Sequence, residues 1–318
     1  MKGKRREENN IPAYVYLSLL AVILVVVVFS AYKLIRWNMG TATTEGVVEG
    51  DFEVEVLDQV FLLPEDKKAM KKDDGRETIL FLGNDILTYY SNEDGVVEKI
   101  GKELGADCIK AGFPQSTVAL KNKSGDRSYD LDAFSFSNVA ESLCSRDFDW
   151  MKSASKSFSD YAYDQNTEIL EKLDMGSIDT LVVFYDGQDY ISRRIGMNPD
   201  NEEDPITYSG SLLKGIRMIQ DKYPYIRIVC MSFPLCYAYD SDGNLVSGDR
   251  YDFGNGRLTT YLQFMIDVSG ATGVSFVDNY YGTIHEDNSD GWLLDNIHVN
   301  AACNEHIAKH FVSAIYGH

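Results

Sequence analysis

Four side chains in three separate segments of the sequence have the chemistry of metal ligands. They are the carboxylates of Asp85, Asp189 and Asp295 and the imidazole of His298. Oxygen and imidazole donors of this kind could together hold a divalent cation if the fold brings them to one place. Nothing in their spacing demands an ion, so we predict no metal and no other cofactor.

Other reactive side chains have simpler explanations. His306 and His310 are one helical turn apart, a spacing that can bind metal. No third ligand accompanies them, so a solvated helix face is the simpler interpretation. The hydroxyls of Ser116 and Thr117 are candidate nucleophiles, although such side chains at a turn more often hydrogen-bond to the backbone.

Five apolar runs predict the strands that must position these groups. TILFL (78–82) is apolar throughout, as expected for a strand that is buried on both faces. The other runs are DCIKAGF (107–113), LVVFY (181–185), IRIVCMSF (226–233) and GVSFVD (273–278).

Helical spacing of apolar residues fills the gaps between these runs. The predicted helices cover 96–104, a stretch before 181, 209–222, 258–268 and 301–315. This alternation predicts an α/β fold in which helices cover both faces of a parallel sheet. Sites in such sheets lie at the carboxyl ends of the strands. We therefore look for chemistry in the turns after the first three strands and in the loop before the last helix.

These four places carry short motifs in a fixed order. FLGNDIL (81–87), KAGFPQSTVA (110–119) and YDGQDY (185–190) follow the first three strands, and DNIHVN (295–300) precedes the final helix. In order, spacing and context these blocks resemble those of the SGNH/GDSL hydrolase superfamily, whose members are esterases, lipases and acyltransferases. The resemblance covers about residues 76–316 and implies a three-layer α/β/α, flavodoxin-like fold.

The resemblance also implies acyl-transfer chemistry. A serine in the first block attacks an ester carbonyl, a histidine in the last block takes its proton, and an aspartate three residues earlier orients the imidazole. Backbone N–H groups of the serine and of a block-two glycine hold the oxyanion, together with a block-three asparagine side chain. Asp295 and His298 match the last block.

Three other positions depart from that pattern. Asp85 stands at the nucleophile position, Gln115 where block two usually has glycine, and Gln188 where block three usually has asparagine. A carboxylate has no proton for His298 to remove, and its charge opposes a developing oxyanion. We therefore predict impaired catalysis. The predicted substrate-pocket residues are Asn84, Asp189 and Asn300.

The N-terminal region predicts a membrane anchor. No charged residue lies between Asn9 and Tyr32, and residues 13–31 read AYVYLSLLAVILVVVVFSA. A bilayer core of roughly 30 Å needs about 20 apolar residues in a helix. Four basic residues precede this span and two follow it, so the positive-inside rule places the N-terminus in the cytoplasm. A cleaved signal peptide is the alternative interpretation.

This organisation divides the chain into four parts. A basic cytoplasmic tail (1–10) leads into a transmembrane helix (11–35), a stalk (36–75) and an SGNH-hydrolase-like domain (76–318). Within the stalk, we expect the apolar stretch 54–63 to pack on the edge of the domain.

The formal net charge of −19 is unevenly distributed. Residues 37–318 carry 24 basic and 47 acidic side chains, a net charge of −23. A segment with this much negative charge is unlikely to bind nucleic acid, because binding to phosphates requires clustered Lys and Arg. The expected partners are the lipid bilayer, through the N-terminal helix, and a cell-envelope polysaccharide or acylated glycan. By resemblance, a membrane-bound O-acyltransferase is a further expected partner.

Together these features predict a single-pass plasma-membrane protein whose extracellular domain takes part in the acyl-ester chemistry of envelope polysaccharide. Because the nucleophilic serine is missing, we expect a glycan-binding or acyltransferase-accessory role. Two alternatives stay open: an active esterase or O-acyltransferase with an adapted site, and a structural interaction module.

Overall fold

A computed structural model of the chain describes residues 23, 24, 27, 28, 56–71, 74–284 and 286–317. The chain divides into two units, Met1–Glu53 and Val54–His318. In the first unit the four described residues are helical and exposed. The predicted cytoplasmic tail and the rest of the predicted transmembrane helix lie outside the described residues. Within the part of the chain that the structure describes, no helix has the length and apolar character to cross a bilayer.

The second unit is built on a parallel sheet. The strands are β1 (Thr78–Gly83), β2 (Asp107–Gly112), β3 (Thr180–Phe184), β4 (Arg227–Met231), β5 (Tyr237–Tyr239), β6 (Leu245–Ser247) and β7 (Ser275–Val277). Five of them form one sheet in the order β2-β1-β3-β4-β7, with every neighbouring pair parallel. This is the flavodoxin-like order, which confirms the predicted α/β class. β5 and β6 form a separate antiparallel hairpin.

Helices connect the strands. They are α1 (Glu65–Lys68), α2 (Asp85–Thr88), α3 (Val96–Leu104), α4 (Phe136–Ser145), α5 (Asp149–Ser155), α6 (Tyr161–Lys172), α7 (Gln188–Ile191), α8 (Tyr208–Lys222), α9 (Leu258–Thr272), α10 (Ser289–Trp292) and α11 (Ala301–Tyr316). Short 3-10 turns cover Asp130–Phe134 and Met175–Ser177. The predicted helices at 96–104, 209–222, 258–268 and 301–315 are thereby confirmed within a few residues.

Apolar burial holds the helices on the sheet. β1 and β3 are buried along their whole length, as the continuous apolar runs predict. Helix α3 packs against α11, and α4 and α9 pack against α8. The ring of Phe81 in β1 lies 6.0 Å from that of Phe311 in α11, which joins the sheet to one of these helix groups. The strand ends therefore have a rigid support.

The apolar stretch before β1 lies on the edge of the sheet, as predicted. Gln59 and Phe276 of β7 form an antiparallel bridge with two backbone hydrogen bonds, of 2.9 and 2.7 Å. Asp58 lies 2.8 Å from the imidazole of His310 in α11. Lys71 forms an ion pair with Asp179, just before β3. The described segment 56–71 therefore belongs to the second unit.

Candidate active site

The carboxyl ends of β1, β2 and β3 lie side by side at one edge of the sheet. Three of the four predicted blocks therefore begin at this edge. In the register of the sheet, Gly83 at the end of β1 pairs with Gly112 of β2 and with Phe184 of β3. A Cβ atom on Gly83 would lie 1.9 Å from the carbonyl oxygen of Phe184, so only glycine allows this close approach. The loops that follow these ends therefore start side by side.

The first of these loops turns directly into α2, and Asp85 is its first helical residue. Its half-buried carboxylate accepts a hydrogen bond from the backbone N–H of Gln115, in the loop after β2. Burial raises the pKa of Asp85, although the Gln115 N–H and the nearby His298 both act to lower it. The carboxylate is thus held by the backbone of the second loop.

Gln115 adopts a conformation that favours glycine. Its φ is 58°, in the left-handed region, which costs a residue with a Cβ roughly 1 kcal/mol. This conformation turns the N–H toward Asp85, while the Gln115 side chain is exposed.

The neighbouring residue Ser116 is fully buried, and its hydroxyl has no hydrogen-bond partner among the described residues. The candidate nucleophile Ser116 is therefore inaccessible.

His298 and Asp295 form the pair that the last block predicts. The imidazole Nδ1 lies 2.6 Å from one carboxylate oxygen of Asp295. The other oxygen accepts the backbone N–H groups of Ile297 and His298. Burial raises the pKa of Asp295, but the hydrogen bonds from His298 outweigh it and leave the pKa below its usual value. The ring of Tyr89 stacks on the imidazole with centroids 4.3 Å apart.

The imidazole of His298 also interacts electrostatically with Asp85. No hydrogen bond joins the two side chains in the described part of the molecule, and none engages Nε2 of His298. The structure therefore brings Asp85, Gln115, Asp295 and His298 to one place, with Nε2 left for another molecule.

Gln188 is turned away from this group. It is the first residue of α7, and its side-chain amide donates a 2.9 Å hydrogen bond to the hydroxyl of Ser192 in the same stretch of chain. Its backbone N–H donates to Asp186 over 3.0 Å. In this conformation the Gln188 amide is not available as an oxyanion donor.

Asn84 ties the three loops together instead of lining a pocket. The side chain is fully buried and donates to the carbonyl of Ser116 (2.9 Å) and to the carboxyl of Asp186 (2.7 Å). Its carbonyl oxygen accepts the backbone N–H of Asp186 over 2.9 Å. One amide therefore fixes the first, second and third blocks relative to one another.

Asp186 is a site residue that the sequence analysis did not single out. It is buried, and burial, followed by the charge of Asp85, raises its pKa to about 8. The available signal was its place as the first acidic residue after the third strand, in YDGQDY. That position did not reveal that the side chain turns inward.

Asp189 and Asn300 also have structural contacts that differ from the pocket positions predicted for them. The buried carboxylate of Asp189 accepts the N–H groups of Val118 (2.7 Å) and Ala119 (2.9 Å), and burial raises its pKa to about 6. Asn300 caps α11 by accepting the N–H of Cys303 over 3.0 Å. These two residues hold the second loop and the last helix in place.

The candidate metal ligands are engaged by other groups of the protein. Asp189 and Asp295 bind backbone N–H groups, while His306 contacts the carbonyl of Gly282 and His310 contacts Asp58. In the described ranges, no group of three or more His, Cys, Asp or Glu side chains could hold a metal ion.

Known proteins resemble this chain in structure but not detectably in sequence. No protein-family model and no curated protein matches it. A solved crystal structure that is 18% identical covers 76% of this chain and 97% of its own, with a TM-score of 0.54. The structure of a Lactobacillus plantarum protein is 14% identical and covers 77% of this chain and 99% of its own, with a TM-score of 0.51. The structure of a possible lipase from Chitinophaga pinensis DSM 2588 is 13% identical and covers 74% of this chain and 96% of its own, with a TM-score of 0.50.

These neighbours, the strand order and the Asp295–His298 pair at the fourth block agree with one another. The chain shares the fold of these three structures. At these identities the likeness establishes the fold, and the chemistry must be argued from the site. In the SGNH pattern the N–H now bonded to Asp85 is the block-two oxyanion donor. Two of the groups that the pattern assigns to the oxyanion, the Gln115 N–H and the Gln188 amide, are therefore already engaged.

Proposed function

We propose that this chain is a membrane-anchored, extracytoplasmic SGNH-fold protein that takes part in the acyl-ester chemistry of cell-envelope polysaccharide without hydrolysing esters itself. Its role is to bind the glycan or to assist a membrane-bound O-acyltransferase. The observation that carries this proposal is the hydrogen bond from the Gln115 N–H to the carboxylate of Asp85.

The contact opposes catalysis in two ways. Asp85 offers no proton that His298 could remove, so the serine–histidine step cannot begin. Its carboxylate also takes the N–H that would stabilise an oxyanion, a contribution worth about 3 kcal/mol in enzymes of this chemistry. The Asp295–His298 pair remains, which supports a site that still recognises its ligand.

The location is inferred from the sequence. The apolar N-terminal segment and its basic flank support a plasma-membrane anchor with the domain outside. The net charge of −23 on residues 37–318 argues against nucleic acid and leaves an envelope glycan as the polymer within reach.

Turnover of an aryl acetate tests the non-catalytic proposal. The full chain in detergent should hydrolyse p-nitrophenyl acetate no faster than the buffer, whereas Asp85→Ser should gain slow turnover. The gain should disappear when His298→Ala is added, because the new hydroxyl needs that base. Adding Gln188→Asn should increase the turnover by restoring the third donor. Wild-type turnover that His298→Ala abolishes would contradict the proposal and favour an adapted enzyme.

A further inference from the structure

We infer that this site binds a free hydroxyl group of a neutral glycan and discriminates against the acylated form of the same sugar. The inference rests on the proposed function, because it names the ligand of a site that does not hydrolyse. Three observations support it: Asp85 is bonded to the Gln115 N–H, the Nε2 atom of His298 has no hydrogen bond among the described residues, and acidic side chains surround both groups.

Asp85 occupies the place that an ester carbonyl would need. In the SGNH pattern the acyl oxygen accepts the block-two N–H, and here that N–H is bonded to the Asp85 carboxylate. An ester would have to displace this charge-assisted hydrogen bond and bring its own partial negative charge beside a carboxylate. The acylated ligand is therefore disfavoured by both contacts.

A hydroxyl group, unlike an ester, can form hydrogen bonds with both Asp85 and His298. It can donate to the Asp85 carboxylate, and it can accept from or donate to Nε2 of His298, whichever form the imidazole takes. Nδ1 is already bonded to Asp295, so Nε2 is the nitrogen that remains. An ester has no donor to offer to Asp85.

The surroundings add an apolar face and negative charge. Tyr89 is 49% exposed while its ring stacks on His298, so it presents aromatic surface next to the reactive groups. The charge of Asp160 also acts on Asp85 and raises its pKa further. With Asp295 nearby, this field repels a phosphate-bearing polymer and favours a neutral sugar.

Binding of matched oligosaccharides tests the inference. Cellohexaose, xylohexaose and chitohexaose are each titrated into the full chain in detergent, both as the free sugar and after chemical O-acetylation. At least one free sugar should bind, with its acetylated form at least tenfold weaker. Asp85→Ala opens the Gln115 N–H without supplying a nucleophile, so it should lose this preference. The exposed Asp200→Ala should keep it.

Two results would overturn the inference: acetylated sugar binding as tightly as free sugar, or no free sugar binding at all. Released acetate is measured in the same samples. Acetate release by the wild-type chain contradicts the proposed non-catalytic function, whereas equal affinities without release contradict only the ligand preference.

Discussion

At the scale of single residues, the Asp85 carboxylate accepts the one hydrogen bond that the backbone N–H of Gln115 can donate. A hydrogen bond to a charged group contributes about 1.5 to 3 kcal/mol net, and an incoming ligand must replace it. The left-handed backbone of Gln115 is retained even though its side chain makes that conformation costly. The backbone N–H that the SGNH pattern assigns to the oxyanion is thus bonded to an internal carboxylate.

Because Asp186 is buried, we predict that the stability of the folded chain depends on pH. Burial, followed by the charge of Asp85, raises its pKa from 3.8 to about 8, so the folded chain keeps a proton that the unfolded chain has released. The stabilisation is complete below about pH 4 and is lost as the pH rises through about 8. Asp189 acts in the same direction but, with a pKa of about 6, has finished titrating at lower pH.

We therefore expect the free energy of unfolding in urea to fall by about 1 kcal/mol per pH unit between about pH 6 and pH 8. Asp186→Asn cannot titrate but keeps an oxygen for the Asn84 and Gln188 donors, so it should flatten this decline. Asp200→Asn, in an exposed loop, should leave it unchanged. A decline in Asp186→Asn as steep as in the wild type would rule out this role.

The sequence predicted the members of the site better than their orientations. Asp295 and His298 are close in the chain, so their spacing alone brings them together. The direction of the Gln188 amide depends on Ser192 one helical turn later, and the inward turn of Asp186 depends on Asn84, about a hundred residues away. Such long-range choices cannot be read from local spacing.

At the scale of elements, strands with continuous apolar runs were the most predictable parts. TILFL and LVVFY are buried on both faces, so their composition alone identifies them. The region before β3 was predicted only as one helical stretch, yet it holds α4, α5 and α6. These helices are short and their polar faces interrupt the pattern, so their boundaries depend on tertiary packing.

The segment 56–71 belongs to the folded unit, which makes truncation informative. A chain starting at 76 loses the pairing with β7, the Asp58–His310 contact and the Lys71–Asp179 ion pair, and it exposes the edge of the sheet. We expect its Tm to be about 10 °C below that of a chain starting at 54, as for a loss of roughly 3 kcal/mol. A chain starting at 37 is the control and should melt with the one starting at 54. Equal Tm values for all three would contradict this assignment.

At the scale of the whole molecule, the predicted anchor segment is flanked by basic residues, whereas the rest of the chain is acidic. Six of the 30 basic residues lie in residues 1–36 and flank the apolar segment. In the arrangement that we propose, these charges fix the orientation in the bilayer, and residues 37–318, with their net charge of −23, lie outside and away from anionic headgroups.

Cell fractionation tests this arrangement. The full chain should remain with the membranes after an alkaline carbonate wash, and protease added to intact cells should digest the domain. A chain starting at 54, exported with a cleavable leader, should appear in the soluble fraction. Release of the full chain by carbonate, or protection of its domain in intact cells, would contradict the predicted anchor and its orientation.

We propose above that Asp85 prevents nucleophilic catalysis at the site formed with Asp295 and His298. Intact-protein mass spectrometry after treatment with a fluorophosphonate tests it most directly. We expect no adduct on the wild-type chain, one adduct at position 85 in Asp85→Ser, and none when His298→Ala is added. A wild-type adduct that depends on His298, or an Asp85→Ser chain that stays unlabelled although it is folded, would show that Asp85 does not have this role.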